Sequence, residues 1–249
     1  MKRSGAKHLI RIIIWGTLLG VVVVYYQFQR ASQANVREVR DRVLPLLSKQ
    51  VANAGLALGN PVFIRAFKEE SIMEVWMQPG KQAPYQLFRT YPITRYSGRL
   101  GSKLKEGDRQ TPEGIYSIAK SALNPNSSYH LSFDIGFPNA YDRQRQRTGS
   151  HIMVHGSNVS IGCFAMTDPV IEEIYLTVEA ALNSGQYSVP FHAFPFRMTE
   201  ERLNKATEEK DAWIDFWRNL KEGHDLFEKN QRPPDVLCDH RGYVFGDEP

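Results

Sequence analysis

The chain has 249 residues, of which 42% are hydrophobic and 23% charged, which suits one globular domain with appendages and excludes a wholly disordered protein. The net charge of +4 is unevenly placed, because positions 1–30 hold five basic and no acidic residues, whereas the remainder holds 26 basic and 27 acidic residues. The part after position 30 therefore lacks the basic excess that is typical of nucleic-acid binding.

An apolar run covers residues 9–26, with only two polar residues inside it, and is close to the roughly 20 residues that span a bilayer. Basic residues precede the run, which favours a cytoplasmic N-terminus and export of the rest of the chain. We therefore predict that residues 1–30 form a cytoplasmic N-terminus and an uncleaved inner-membrane anchor, with the folded part in the periplasm. The alternative is a cleaved signal peptide ending near Ala34, which would leave a periplasmic protein.

Hydrophobic residues recur at intervals of three and four between Ala34 and Gln50, which predicts a helix. We expect residues 31–60 to form a stalk and linker between the membrane and the folded part. From residue 61 the pattern changes to short runs rich in branched and aromatic residues, separated by turn residues. This pattern predicts seven strands: Val62–Phe67, Ile72–Met77, Tyr85–Tyr91, Gly114–Ala119, Leu131–Ile135, His151–Val154 and Val189–Phe194.

Two helices are predicted among and after these strands. The first covers Pro169–Asn183, with Asp168 as its N-cap and the proline in its first turn. The second covers Glu200–Leu220 and is expected to end at Gly223, with an apolar stripe facing the core. Short strands in this number predict a mainly antiparallel, mainly β fold with peripheral α-helices.

The segment that begins at His155 places Cys163, one of the two cysteines of the chain, a short loop after a histidine. A thiol is a strong nucleophile only as thiolate, and a nearby imidazole is the usual base that produces it. Gly162 lets the backbone turn sharply before the cysteine, and the N–H groups of these two residues would be free to hold an oxyanion. Ser160 is expected to bond either the turn or a substrate. We expect Cys163 and Cys238 not to pair, because a disulfide would block the nucleophile.

These residues resemble the catalytic domain of the L,D-transpeptidase (YkuD-type) family. That family has His-Gly, a loop, and then Ser-His-Gly-Cys-aliphatic-Arg. His155-Gly156 matches the first part of the pattern, and the second part is matched by Ser160, Gly162 and Cys163. Three further stretches fit the same family: Ser97-Gly98, Thr111–Tyr116 and Ile152–Val154.

The resemblance implies a β-sandwich-like L,D-transpeptidase catalytic domain at residues 61–195 and a helical C-terminal extension at residues 196–249 that packs on it. It also implies an exported enzyme that acts on diaminopimelate-containing peptidoglycan stems in cell-wall remodelling. Such an enzyme works through a thioester acyl-enzyme and needs no metal or cofactor. Phe137–Arg143 and Pro195–Thr199 are similar to the YafK-type branch of the family, which is associated with freeing a peptidoglycan-linked lipoprotein.

Two positions depart from the common pattern of the family. Ile161 stands where the family has a histidine, and Ala165 stands where it has an arginine that is associated with the common transpeptidases. The YafK-type branch shares both departures, so the resemblance implies hydrolysis of a peptidoglycan–lipoprotein link more than cross-link formation. An L,D-transpeptidase that forms peptidoglycan cross-links and a non-catalytic cell-wall-binding module remain the alternatives.

Several side chains are candidates for substrate binding, the arginines through a stem carboxylate and the tyrosines as cleft walls: Arg95, Arg99, Arg143, Arg145, Tyr129 and Tyr141. Ser157 and Asn158 could orient His155, but the sequence does not identify the third group of a triad. A zinc site formed by His151, His155 and Cys163 is rejected. A strand separates the two histidines by about 13 Å at roughly 3.3 Å per residue, whereas zinc holds its nitrogen ligands at about 2 Å.

Overall fold

The computed structural model describes Trp15 and residues 35–246. The strands are β1 (Val62–Phe67), β2 (Ile72–Met77), β3 (Gln86–Pro92), β4 (Gly114–Ala119), β5 (Leu123–Ser127), β6 (His130–Asp134), β7 (Met153–His155), β8 (Phe164–Ala165), β9 (Ser188–Phe194), β10 (Asp235–Cys238) and β11 (Tyr243–Gly246). The helices are α1 (Val36–Asn53), α2 (Ala140–Gln144), α3 (Asp168–Asn183), α4 (Glu200–Glu208) and α5 (Ile214–Asn230). The predicted membrane anchor at residues 9–26 lies, apart from Trp15, outside this part of the chain. Within the described residues, no helix combines the length and hydropathy that crossing a membrane requires.

The strands form a five-stranded sheet in the order β3-β2-β1-β9-β4, a four-stranded sheet in the order β5-β6-β7-β8, and the β10–β11 hairpin. The expected antiparallel pairing holds for six of the eight strand pairs in the described residues, whereas β1 pairs with β9 in parallel and β7 pairs with β8 in parallel. Both larger sheets are therefore mixed. Each of the seven predicted strands is present within two residues of its predicted ends.

Four strands were not predicted, and two of them, β5 and β8, carry little strand signal in their sequences. β5 contains a proline and two asparagines, which are poor strand formers, and β8 has only two residues. These short strands lie at the two edges of the four-stranded sheet, where they complete the hydrogen-bonding of stronger neighbours. Tertiary pairing, more than local preference, makes them strands.

Helix α1, predicted as a stalk, packs against α3. Its apolar stripe, Val39, Leu47 and Val51, is at most 3% exposed and joins the main hydrophobic core. Two arginines of α1 form ion pairs with glutamates of α3, Arg40 with Glu179 and Arg42 with Glu172, each at 2.6 Å. The helix is thus part of the folded domain.

The second predicted helix is two helices, because the chain leaves the helical path at residues 209–213 and resumes as α5. Gly223, expected to end the helix, lies in the middle of α5. A Cβ at this position would lie 2.3 Å from the Phe245 ring, so the glycine is needed for close packing of the β10–β11 hairpin. The stripe predicted from Trp213, Phe216, Trp217 and Leu220 is buried against the five-stranded sheet except for Trp213, which precedes α5 as its N-cap and is only partly buried.

A buried ion pair joins the end of β1 to the loop at residues 97–113. Lys68 Nζ lies 2.9 Å from Glu113 Oε1, and both side chains are 0% exposed. Lys68 also donates to the carbonyls of Arg99, Gly101 and Thr111 at 2.8 to 3.0 Å. Glu113 accepts the indole N–H of Trp217 at 2.8 Å. Burial lowers the pKa of Lys68, and the carboxylate of Glu113 opposes this effect.

Replacement of Lys68 with methionine should lower the free energy of unfolding by about 3–5 kcal/mol, because it leaves the buried carboxylate of Glu113 without its partner. Urea unfolding of the purified chain measures the change. Lys49→Met on the exposed side of α1 is the matched control and should stay within about 0.5 kcal/mol of the wild type. Equal stabilities of the two variants would contradict this account of the ion pair.

Candidate active site

His155 and Cys163, the two residues of the sequence motif, lie on one face of the four-stranded sheet. Residues that pair across strands point to the same side, and the register aligns His155 with Ser132 of β6 and with Ala165 of β8. One step along the strands, Met153 pairs with Asp134 and donates its N–H to the Sγ of Cys163 at 3.3 Å. We call the side of the four-stranded sheet that carries His155 and Cys163 the thiol face.

The opposite side of the same sheet is a core surface. Phe133, Val154 and Phe164 lie there, each 0% exposed, and contribute to the main hydrophobic cluster. Strand alternation therefore places packing residues on one face of the sheet and the candidate catalytic residues on the other.

With one strand spacing of about 4.8 Å and two residues of rise, the Cα atoms of His155 and Cys163 lie about 8 Å apart on the thiol face.

His155 is 2% exposed, and its ring has a fixed orientation. Nδ1 lies 2.5 Å from the carbonyl oxygen of Gly156. Because a carbonyl can only accept, Nδ1 carries the proton and Nε2 keeps its lone pair. The third group that sequence reasoning sought near Ser157 and Asn158 is thus a backbone carbonyl.

The glycine after the histidine is required by crowding. A Cβ on Gly156 would lie 2.5 Å from Asp168 Oδ1 and 2.9 Å from the Tyr129 carbonyl oxygen. Asp168 accepts the N–H of Ser157 at 2.7 Å, so it holds the loop after the histidine. The expected N-cap role of Asp168 is wrong, because Thr167 is the N-cap of α3.

The turn before Cys163 is held by hydroxyl groups. Ser160 Oγ donates to the Cys163 carbonyl at 2.7 Å, and Thr111 Oγ1 donates to the same oxygen at 3.2 Å. Gly162 N–H donates to Ser160 Oγ at 3.3 Å. Ser160 therefore shapes the turn, and the Gly162 N–H, which we expected to be free for an oxyanion, is engaged inside the turn.

Both groups of the pair are neutral at pH 7. Burial raises the pKa of the Cys163 thiol, while the Met153 N–H and the ammonium of Lys103 oppose the shift and the charge of Asp134 adds to it. Burial lowers the pKa of His155, against the effect of its bond to Gly156. The thiol donates to the His151 carbonyl at 3.7 Å, as a protonated sulfur can. No thiolate–imidazolium ion pair is therefore formed in the free protein.

Two of the predicted substrate-binding residues, Tyr129 and Arg95, lie beside the thiol face, and a third, Arg99, lies on a nearby loop. The Tyr129 ring lies 4.8 Å from the His155 ring and is 46% exposed, so it covers the imidazole at the cleft edge. Arg95 pairs through its backbone with Ala165, and its side chain is exposed. Arg99 is exposed on the loop that also carries Thr111.

Tyr141 and Arg143 lie elsewhere. They contribute to a separate cavity of about 880 Å³, between β4, α2 and the β10–β11 hairpin, whose walls include Cys238 and do not include Cys163 or His155. Tyr141 is 5% exposed and stacks on Tyr243 with ring centres 4.5 Å apart, so it is a packing residue. Arg143 donates to the Pro138 carbonyl. The thiols of Cys163 and Cys238 are both unpaired, as expected.

Sequence reasoning missed Asp134, Lys103 and the hydroxyl of Thr111 as parts of the site. For Asp134 a signal existed, because the predicted strand alternation places it on the face opposite Phe133. For Thr111 the family-like stretch Thr111–Tyr116 marked the segment but not the role of the hydroxyl, and for Lys103, which reaches the site from a loop, no signal existed. Among the described residues, no three His, Cys, Asp or Glu side chains are placed to hold a metal ion.

Comparison with known proteins gives relatives for most of this region. A family model described as the YkuD L,D-transpeptidase catalytic domain matches residues 64–191. The chain is 44% identical over 187 residues to a protein of Escherichia coli strain K12 that carries the provisional name L,D-transpeptidase YafK, a match covering 75% of this chain and 74% of that protein. YafK of Escherichia coli O157:H7 matches with the same values.

Two solved structures share lower similarity. A variant of the helical cell shape determining protein Pgp2 from Campylobacter jejuni has a TM-score of 0.44 and 19% identity, over 74% of this chain and 65% of that chain. Bd1075 from Bdellovibrio bacteriovorus has a TM-score of 0.39 and 22% identity, over 69% of this chain and 61% of that chain. The present chain spans less than two thirds of each.

Proposed function

Because the chain belongs to the family of L,D-transpeptidase (YkuD) catalytic domains, we propose that it acts on diaminopimelate-containing peptidoglycan stems, with Cys163 as nucleophile and His155 as base. The family match confirms the resemblance inferred from the sequence. The observation that supports the assignment of roles is the thiol face, where His155 lies on β7 and Cys163 immediately precedes the adjacent strand β8. The Gly156 carbonyl engages Nδ1 of His155, so Nε2 is able to accept a proton.

In the first half-reaction, His155 Nε2 takes the thiol proton as the Sγ of Cys163 attacks a peptide carbonyl next to diaminopimelate. The new S–C bond moves an electron pair onto the carbonyl oxygen, which the N–H of Cys163 stabilises. Collapse breaks the C–N bond, and the leaving amine receives the proton from His155. A thioester remains, and either water or an amine acceptor attacks it with His155 again as base.

Hydrolysis is the favoured second half-reaction. Ala165, at the family's arginine position, is 0% exposed and pairs through its backbone with Arg95, so this position offers no guanidinium of its own to bind an acceptor or stem carboxylate. Ile161, at the family's histidine position, is 77% exposed and offers only apolar surface beside the thiol. An amine acceptor is therefore held less firmly and water competes for the thioester, with a peptidoglycan-linked lipoprotein remnant as substrate.

The test is mass spectrometry of purified cell-wall fragments after incubation with the purified chain. Released stems or freed lipoprotein remnants are the expected products. Diaminopimelate–diaminopimelate dimers without released product would instead establish cross-link formation. Unchanged fragments, with the enzyme shown to be folded, would contradict the proposed activity.

The proposed location is the inner membrane, with residues 9–26 as a single span and the thiol face in the periplasm. The support is the apolar run and the basic residues before it. The full-length chain should sediment with membranes, resist carbonate extraction and be cut by protease added from the periplasmic side. A soluble protein that begins near Asn35 would establish a cleaved signal peptide instead.

A further inference from the structure

Asp134 is a carboxylate on the thiol face that the proposed half-reactions do not use. It pairs with Met153, which in turn donates to the Sγ of Cys163. Two strand spacings of about 4.8 Å place the Cα atoms of Asp134 and Cys163 about 10 Å apart. Since both side chains point to the same side of the sheet, the carboxylate and the thiol border the same space.

One carboxylate oxygen of Asp134 accepts a backbone hydrogen bond, and the other is available to a ligand. Oδ1 accepts the N–H of Gly136 at 2.8 Å, whereas Oδ2 lies 3.7 Å from His151 Nδ1, which is too long for a hydrogen bond. The side chain of Asp134 is 24% exposed and that of His151 is 85% exposed, so the imidazole is free to move aside. The ammonium of Lys103 is already bound to Asp108 at 2.6 Å.

This carboxylate works against the nucleophile in the free enzyme. Burial is the main cause that raises the pKa of the Cys163 thiol, and the charge of Asp134 raises it further. Burial also raises the pKa of Asp134, against the effect of the Gly136 N–H. A cation beside Asp134 would lower the pKa of this residue, because it favours the ionised carboxylate. It would also cancel the charge of Asp134 near the thiol, which would remove the contribution of that charge to the raised pKa of Cys163.

We propose that Asp134 binds a primary ammonium group of the substrate and is a specificity-determining residue of this site. The inference rests on the proposed function, because diaminopimelate carries such an ammonium group at the end of its side chain. A charge-assisted bond from that group to Oδ2 fixes the substrate against the thiol face. It also neutralises the carboxylate, so that the substrate that fits the site activates the nucleophile.

Binding is measured by calorimetry in the inactive Cys163→Ala chain, with a synthetic diaminopimelate stem and with the same stem acetylated on its side-chain amine. The free-amine stem should bind about tenfold more tightly than the acetylated stem. Adding Asp134→Asn, which keeps an acceptor for the Gly136 N–H, should remove this preference. A preference that survives Asp134→Asn would overturn the inference.

A second readout separates an electrostatic role from a structural one. Asp134→Asn in the otherwise wild-type chain should speed alkylation of Cys163 by iodoacetamide at pH 7, because the thiol loses a nearby negative charge. Because a disturbed loop would also expose the thiol, the rates are compared at high pH as well, where the thiol is ionised in both chains and equal rates show equal access. Unchanged or slower alkylation at pH 7 would count against the proposal. Asp215→Asn on α5, where the carboxylate is 94% exposed, removes the same charge as a control and should change neither readout.

The two proposals fail in different ways. If the wild-type chain cleaves and joins no stem but the inactive chain still prefers the free amine, the ammonium site stands and the proposed reaction does not. If the wild-type chain cleaves both stems equally well and binding shows no preference, the reaction stands and the role of Asp134 is refuted.

Discussion

Cys163→Ala should lower the rate of stem cleavage by a factor on the order of 10⁴ or more, because it removes the thiol that forms the acyl-enzyme in the proposed reaction. The fold should persist. The substitution removes only the contacts of one half-buried sulfur with the Met153 N–H and the His151 carbonyl, at a cost of about 1 kcal/mol. Chromatographic rates on a purified stem and urea unfolding measure the two effects.

Cys238→Ala is the matched control for loss of a thiol. The Sγ of Cys238 accepts a hydrogen bond from Gln144 Nε2 at 3.5 Å and lies in the wall of the cavity that Tyr141 also lines, away from His155. This variant should keep its cleavage rate within about twofold, since a weak bond to sulfur is all it loses. Near-normal activity of Cys163→Ala, or inactivity of Cys238→Ala, would show that the nucleophile is assigned to the wrong residue.

His155→Ala should lower kcat by roughly 10²- to 10⁴-fold, the usual contribution of a positioned general base. It should also remove the acid limb of the pH profile. Burial lowers the pKa of His155 below its ordinary value of 6.5, so the neutral base is present above that lowered pKa. Activity of the wild type should therefore fall only as the pH drops below 6.5.

The measurement is kcat/KM between pH 4 and pH 9 for the wild type and the variant. His240→Ala removes an exposed imidazole near the C-terminal end and should leave the profile unchanged. An acid limb that persists in His155→Ala would mean that another group accepts the thiol proton. A wild-type limb above pH 6.5 would mean that His155 gains a negative partner in the substrate complex.

Local patterns in the sequence were enough to place most strands and the reactive pair. The apolar alternation of Leu131–Ile135 and the branched residues of Val62–Phe67 located strands within two residues, because the side-chain period of a strand is a local property. The order His-Gly, loop, Ser-x-Gly-Cys pointed to His155 and Cys163, because that residue combination has few structural uses.

Only the tertiary structure decided which strands pair and what surrounds the thiol. The parallel pairing of β1 with β9 joins segments more than 120 residues apart, and no local period encodes such a partner. The same folding brings Thr111 to the Cys163 carbonyl, takes Arg143 to another cavity and places Asp134 beside the nucleophile. The sequence by itself thus identified the proposed reactive groups and most of the strands, but not β8, which follows Cys163. Their charges, supports and specificity depend on through-space contacts, which arise only when distant segments pack together.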